Sequence, residues 1–178
     1  GTGKTYQLAK KVEGIAKDKK VLIVSFRISL SAQLKNETFK NCGFKLYSDE
    51  KTLDNNVSRL IISPESLHRL RWDSKDGSLC DILIIDEFDQ VHKQFSSDTF
   101  LKQRNTMESF MKFKALLTHS KQIFMMSGGL EPEHIKYVNN IKKCCKAEVA
   151  IYWNQFKNME DRKISLTLNE NDVLRMLI

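Results

Sequence analysis

The sequence predicts an α/β protein, a three-layer domain with a mainly parallel central sheet. Short, nearly continuous apolar runs rich in Ile and Val recur along the 178 residues, as strands buried on both faces do. Stretches with helical spacing separate them, and strand, helix, strand in repetition implies right-handed crossovers and parallel strands. The chain also opens with GTGKT, the last half of the phosphate-binding pattern G-x-x-x-x-G-K-[ST], ahead of a helical run. In such an architecture ligands sit at the carboxyl ends of the strands.

In chain order, Leu8, Val12 and Ile15 fall at i, i+4 and i+7 and predict a first helix. VLIVS (21–25) is the first strand, Leu30, Leu34 and Phe39 mark a second helical stripe, and RLIIS (59–63) and DILIID (81–86) are the next strands. Met107, Phe110, Met111 and Leu117 outline a further helix whose stripe is expected to face the core. QIFMMS (122–127) and EVAIYW (148–153) complete the strands, with LEPEHIKYV beginning a helix between them. From residue 154 the texture changes: NQFKNMEDRK is polar, ISLTL alternates as a new strand would, and NENDVLRMLI reads as a capped helix start. We therefore expect one domain over residues 1–155, and over 156–178 a linker with the beginning of a truncated second domain.

Composition narrows the class. The chain has no initiator Met, no charged-then-apolar leader and no apolar run of spanning length, so a soluble fragment is expected. Cys42, Cys80, Cys144 and Cys145 form no C-x-x-C pair, which fits a reducing, intracellular compartment better than a zinc cage or disulfide framework. A net charge of +7 favours a polyanionic partner. His68, His92, His119 and His134 lack metal-ligand spacing. Trp72 and Trp153 are isolated aromatics beside strands, expected in the core or at its rim rather than as a base-stacking platform. Lys142, Lys143 and Lys146 read as a solvated helix end, with DNA contact as the alternative.

The start of the chain carries the first chemical signal. A phosphate cradle needs inward-pointing backbone N–H groups, glycines that let the ligand approach, and a helix N-terminus whose dipole favours an anion. Gly1, Thr2, Gly3, Lys4 and Thr5 supply these features, although only two residues precede Gly3 where five are expected. Lys4 would reach the β- and γ-phosphates of ATP and Thr5 would ligate Mg²⁺. A chance Gly-Lys-Thr at a loop-to-helix junction is the alternative. LIIDEFDQV weighs against it, because an apolar strand there delivers Asp86 and Glu87 to its carboxyl end. Asp86 suits Mg²⁺, a hard cation, and Glu87 can orient and deprotonate an attacking water.

DEFD (86–89) resembles the DExD signature, motif II, of superfamily 2 helicases. VSFRISLSAQL resembles motif Ia, SPESLHRL resembles motif Ib, and MSGGL stands where motif III would be, with Gly128-Gly129 departing from the usual pattern. DEFDQVHKQFSSDTF together with VSFRISLSAQL is similar to the helicase region of the herpesvirus-type replication origin-binding protein family, which occurs in large DNA viruses and phage-like elements. The resemblance runs from Gly1 to about Lys163.

That resemblance implies a first RecA-like domain of the P-loop NTPase type, using ATP and Mg²⁺ to drive movement on DNA, single-stranded or forked. Lys4, Thr5, Asp86 and Glu87 keep the roles already given. Asp89 would couple motif II to motif III through Ser127, a role that Gly128-Gly129 puts in question. Arg27, Ser63 and Ser66 would face a nucleic-acid backbone, as Arg and hydroxyl groups at strand ends suit phosphate. A second RecA-like domain would supply an arginine finger worth about 10³–10⁵ in rate, so residues 1–178 alone are expected to have negligible ATPase and no unwinding activity. Replication proteins are further expected partners, with a host cytoplasm or nucleus as the setting if the chain is viral. An RNA helicase, and a non-catalytic nucleic-acid-binding scaffold derived from a helicase, stay open as alternatives.

Overall fold

The computed structural model describes residues 4–26, 28–73, 78–102, 104–128 and 131–142. Among the described residues five strands form one sheet, all parallel: β1 (Val21–Ser25), β2 (Lys45–Leu46), β3 (Arg59–Ile62), β4 (Cys80–Asp86) and β5 (Ser120–Met126), in spatial order β2-β3-β1-β4-β5. The α/β class with a parallel central sheet and flanking helices is therefore as the sequence predicts. The β1 bounds coincide with VLIVS, whereas β5 starts two residues before its apolar run because Ser120 pairs with Cys80. The two-residue β2 offers no periodicity to read. The predicted strand at 148–153, the boundary at 155 and all of 156–178 lie outside the described residues.

Both faces of the sheet are covered, which is why β1 and β3 are apolar almost throughout. On one face Val21, Ile23, Ile61, Ile82 and Ile84 pack with Leu8, Ala9 and Val12 of α1 (Lys4–Glu13), and with Leu34, Phe39 and Phe44. Ile15 packs against the same layer from beyond the end of the helix. The second predicted stripe is likewise split: α2 (Ile28–Gln33) passes into a π-helical turn (Leu34–Thr38), and Phe39 closes that turn.

On the other face Leu22, Val24, Leu60, Ile62, Leu83 and Ile85 meet a 3₁₀ turn (Pro64–Arg69), α3 (Phe88–Gln94), α4 (Asp98–Leu101) and α5 (Thr106–His119). Trp72 is buried in this layer, as core. The expected stripe of α5 is corrected here: Met107 and Met111 are 70% and 56% exposed, and the buried row is Ser109, Phe113, Leu116 and Leu117. Phe110 packs against that layer while only partly buried. The last described helix, α6 (Pro132–Lys142), follows β5. Among the described residues no helix is long and apolar enough to cross a membrane.

Candidate nucleotide site at the carboxyl ends of the strands

Buried Arg59, at the start of β3, fixes which end of α1 faces which end of the sheet. Its guanidinium donates to the carbonyls of Ile15 and Ala16 at 2.6 and 3.1 Å, just past the end of α1, and to Cys42 O at 2.6 Å. The C-terminal end of α1 is thus tied to the amino end of the sheet. Ten helical residues rise about 15 Å, and five strand residues about 16 Å. The N-terminus of α1 therefore comes level with the strands' carboxyl ends, where β4 delivers Asp86. Thr5 is half-buried in the first turn; of the other expected phosphate-loop residues, Gly1, Thr2, Gly3 and the Lys4 side chain lie outside the described set.

Asp86 is buried and Glu87 half-buried. Asp86 follows Ile82 and Ile84 on the α1 face, by the two-residue alternation of a strand. Its register partner on β1 is Ser25, whose side chain shares that face and is fully buried. The Ser25 hydroxyl has no hydrogen-bond partner. Sequence reasoning passed over Ser25 because it sits in an otherwise apolar run; only the register reveals what it lies beside.

Glu87 occupies the left-handed backbone region, φ 51° and ψ 60°. For a non-glycine residue this costs on the order of 1–3 kcal/mol and persists only where surroundings enforce it. Two bonds to its carbonyl enforce it here, from Gln90 N at 2.9 Å and Val91 N at 3.0 Å, which start α3 directly after the strand. The turn sets Glu87 against a cleft of about 400 Å³, lined also by Phe26, Ser29, Leu30, Gln33 and Gln90. The segment that resembles motif Ia therefore shares a cavity with the candidate base.

Asp89, buried in the first turn of α3, accepts a hydrogen bond from Ser127 Oγ at the end of β5 and one from Gln90 Nε2 at 3.0 Å. Burial pushes its carboxyl up, but the bonds from Ser127, Gln90 and the backbone outweigh this and hold it below the usual carboxylate range. The two residues expected to couple are thus in contact. Gly128 explains little by steric need, since a Cβ there would meet nothing within 4 Å.

Behind this pair, α3 and α6 meet through an aromatic cluster that the sequence did not announce. His92 lies 5.3 Å from His134 and 4.8 Å from Tyr137, ring centre to ring centre, and Phe88 packs on both histidines. Burial first, and His134 second, lower the His92 pKa. Among the described residues no group of three or more His, Cys, Asp or Glu is placed to hold a metal.

Ser63 and Ser66 sit together after β3, Ser63 Oγ donating to Ser66 Oγ at 3.2 Å; Ser63 is buried and Ser66 half-buried. Ser63 stands at the N-cap of the 3₁₀ turn, but its side chain makes no capping bond there. Arg27 lies outside the described residues.

A sheet of five parallel strands, covered by helices on both faces, with Asp86 and Glu87 at the same end as the start of α1, has the architecture of a P-loop, RecA-like α/β domain. The chain belongs to the origin of replication binding protein family, whose model matches residues 1–161. It is 30% identical over 158 residues to the replication origin-binding protein of Human herpesvirus 6B (strain Z29), covering 88% of this chain and 19% of that protein. With the replication origin-binding protein of Human herpesvirus 7 (strain JI) it shares 35% identity over 128 residues, 71% of this chain and 15% of the relative. A putative helicase/primase complex protein of African swine fever virus (isolate Warthog/Namibia/Wart80/1980) is 27% identical over 184 residues, covering 99% of this chain and 16% of that protein. The chain thus spans less than a fifth of these curated relatives.

Proposed function

We propose that this chain is the first, ATP-binding RecA-like domain of a superfamily 2 DNA helicase or translocase within a viral replication origin-binding protein. The observation that carries the reading is the convergence at one sheet end: the start of α1, the buried Asp86, and Glu87 turned by left-handed backbone against a cleft. The donor set fits Mg·ATP. Mg²⁺ takes one or two carboxylates together with water and phosphate oxygens, so one buried Asp at the strand end suffices, and a helix N-terminus suits phosphate.

Bound Mg·ATP supplies the γ-phosphoryl group to be transferred to water and the charge neutralisation that transfer needs. Lys4 and Thr5 would hold the phosphates and the metal, with Asp86 as the carboxylate ligand to the metal. Glu87 orients a water and accepts its proton. The Asp89–Ser127 bond joins α3 to the residue just after β5, and is the contact through which motif II would be coupled to motif III. Arg27, Ser63 and Ser66 are the candidate contacts to a DNA backbone. A second RecA-like domain closing over the nucleotide and reopening after hydrolysis would step the motor along a strand. The family membership, and the likeness to a putative helicase/primase complex protein of African swine fever virus, support a role in replication.

Thermal melting of the full-length protein separates this from a scaffold reading. A ligand at a hundred times its Kd adds about 2.7 kcal/mol to stability, so saturating Mg·ATP should raise the melting temperature by several degrees. No shift in a folded protein would favour the scaffold.

A further inference from the structure

Among the described residues, the Ser25 hydroxyl is a buried polar group beside Asp86 for which neither the fold nor the chemistry proposed above accounts. Ser25 is fully buried, its Oγ has no hydrogen-bond partner, and it stands directly opposite Asp86 across the β1–β4 ladder. Neighbouring parallel strands lie about 4.8 Å apart, and register partners present their side chains to the same face. A buried hydroxyl without a partner is unfavourable, and an apolar residue of similar size would suit the core better. Val21 and Ile23 are such residues on the same face of β1. The end of β1 is the one place on that face where β1 departs from the apolar pattern.

We propose that Ser25 is a positioning residue for the metal site, its hydroxyl hydrogen-bonding a water of the Mg²⁺ ion held by Asp86. This rests on the nucleotide-site reading above. Three facts support it together. A hydroxyl both donates and accepts, so it can meet a metal-bound water or a phosphate oxygen. Mg²⁺ gives up its waters reluctantly and keeps several of them, so groups around the first ligands have waters to bind. Hydrogen-bonding partners around a metal commonly orient what the ion holds, and their loss weakens metal binding.

The test uses the full-length protein, with Ser25→Ala and Ser25→Cys. The first removes the hydroxyl, and the second nearly keeps the volume but replaces it with a weak donor. Melting is followed in three conditions: without nucleotide, with ADP in EDTA, and with ADP across a Mg²⁺ titration. Without nucleotide both variants should melt at or above the wild-type temperature, since no bond of the fold is lost. With ADP in EDTA the shift should be unchanged. In the Mg²⁺ titration the midpoint should rise by about threefold to tenfold, the scale of one hydrogen bond.

A lower melting temperature without nucleotide would show that the hydroxyl holds the fold, and would overturn the proposal. So would an unaltered Mg²⁺ midpoint in Ser25→Ala while the wild type shows the full Mg²⁺-dependent shift, an outcome that leaves the nucleotide-site reading standing. A wild type with no shift from nucleotide or Mg²⁺ would remove both. Recovery of the wild-type midpoint by Ser25→Cys would mean that volume matters rather than the hydroxyl, and would also overturn it.

Discussion

Glu87→Gln is expected to lower ATP turnover by about 10²–10⁴-fold, the usual contribution of a positioned general base, while Mg·ATP still binds. The amide keeps the size of the side chain and its capacity to hydrogen-bond, and it cannot take a proton from water. Because the left-handed backbone at Glu87 is held by bonds to its carbonyl from Gln90 N and Val91 N, the substitution leaves that turn unchanged. The loss should fall on kcat with little change in KM, the pattern of an interaction made only in the transition state. Steady-state hydrolysis together with nucleotide-induced melting measures both. Turnover within a few-fold of wild type would mean that another group activates the water.

Phe113→Ala should cost about 3–5 kcal/mol of stability, the range for deleting a buried aromatic side chain. Met111→Ala, two residues away on the same helix, should stay within about 0.5 kcal/mol, as surface substitutions do. Phe113 is fully buried and packs against Phe95 with ring centres 4.7 Å apart, whereas Met111 is mostly exposed. Urea unfolding of the two variants checks the contrast, and Phe113→Leu gives a milder version if the alanine variant does not fold. Equal costs at the two positions would restore the methionine stripe as the core face.

That contrast shows what the sequence could and could not say. α5 carries apolar side chains on two neighbouring rows, 107–111 and 110–117, and helical spacing fits either. The choice falls to tertiary packing, because the layer of Phe95 and Phe100 receives the flat ring of Phe113, and the flexible methionines are left at the surface. β1, β3 and β4 were legible since burial on both faces forces near-unbroken apolar runs, as in VLIVS, whereas the apolar run of β5 is at most partly buried. β2 was not, because two residues paired at a sheet edge leave no pattern. Asp86 and Glu87 could be placed because a strand end is visible in LIIDEF. Ser25, the register neighbour of Asp86, could not, since registers across a parallel sheet depend on crossovers whose geometry no local pattern encodes. The contact between Asp89 and Ser127 came from resemblance to a family, and residues 38 apart would not have been joined by spacing.

The central claim is that this domain serves an ATP-driven DNA motor. Its most direct test is the steady-state ATP hydrolysis rate of the full-length protein, with and without single-stranded DNA, and with RNA of matched length alongside. The account predicts hydrolysis that DNA stimulates several-fold and RNA does not. Stimulation by RNA alone would reassign the substrate. A folded protein that hydrolyses no ATP with either nucleic acid would contradict the account.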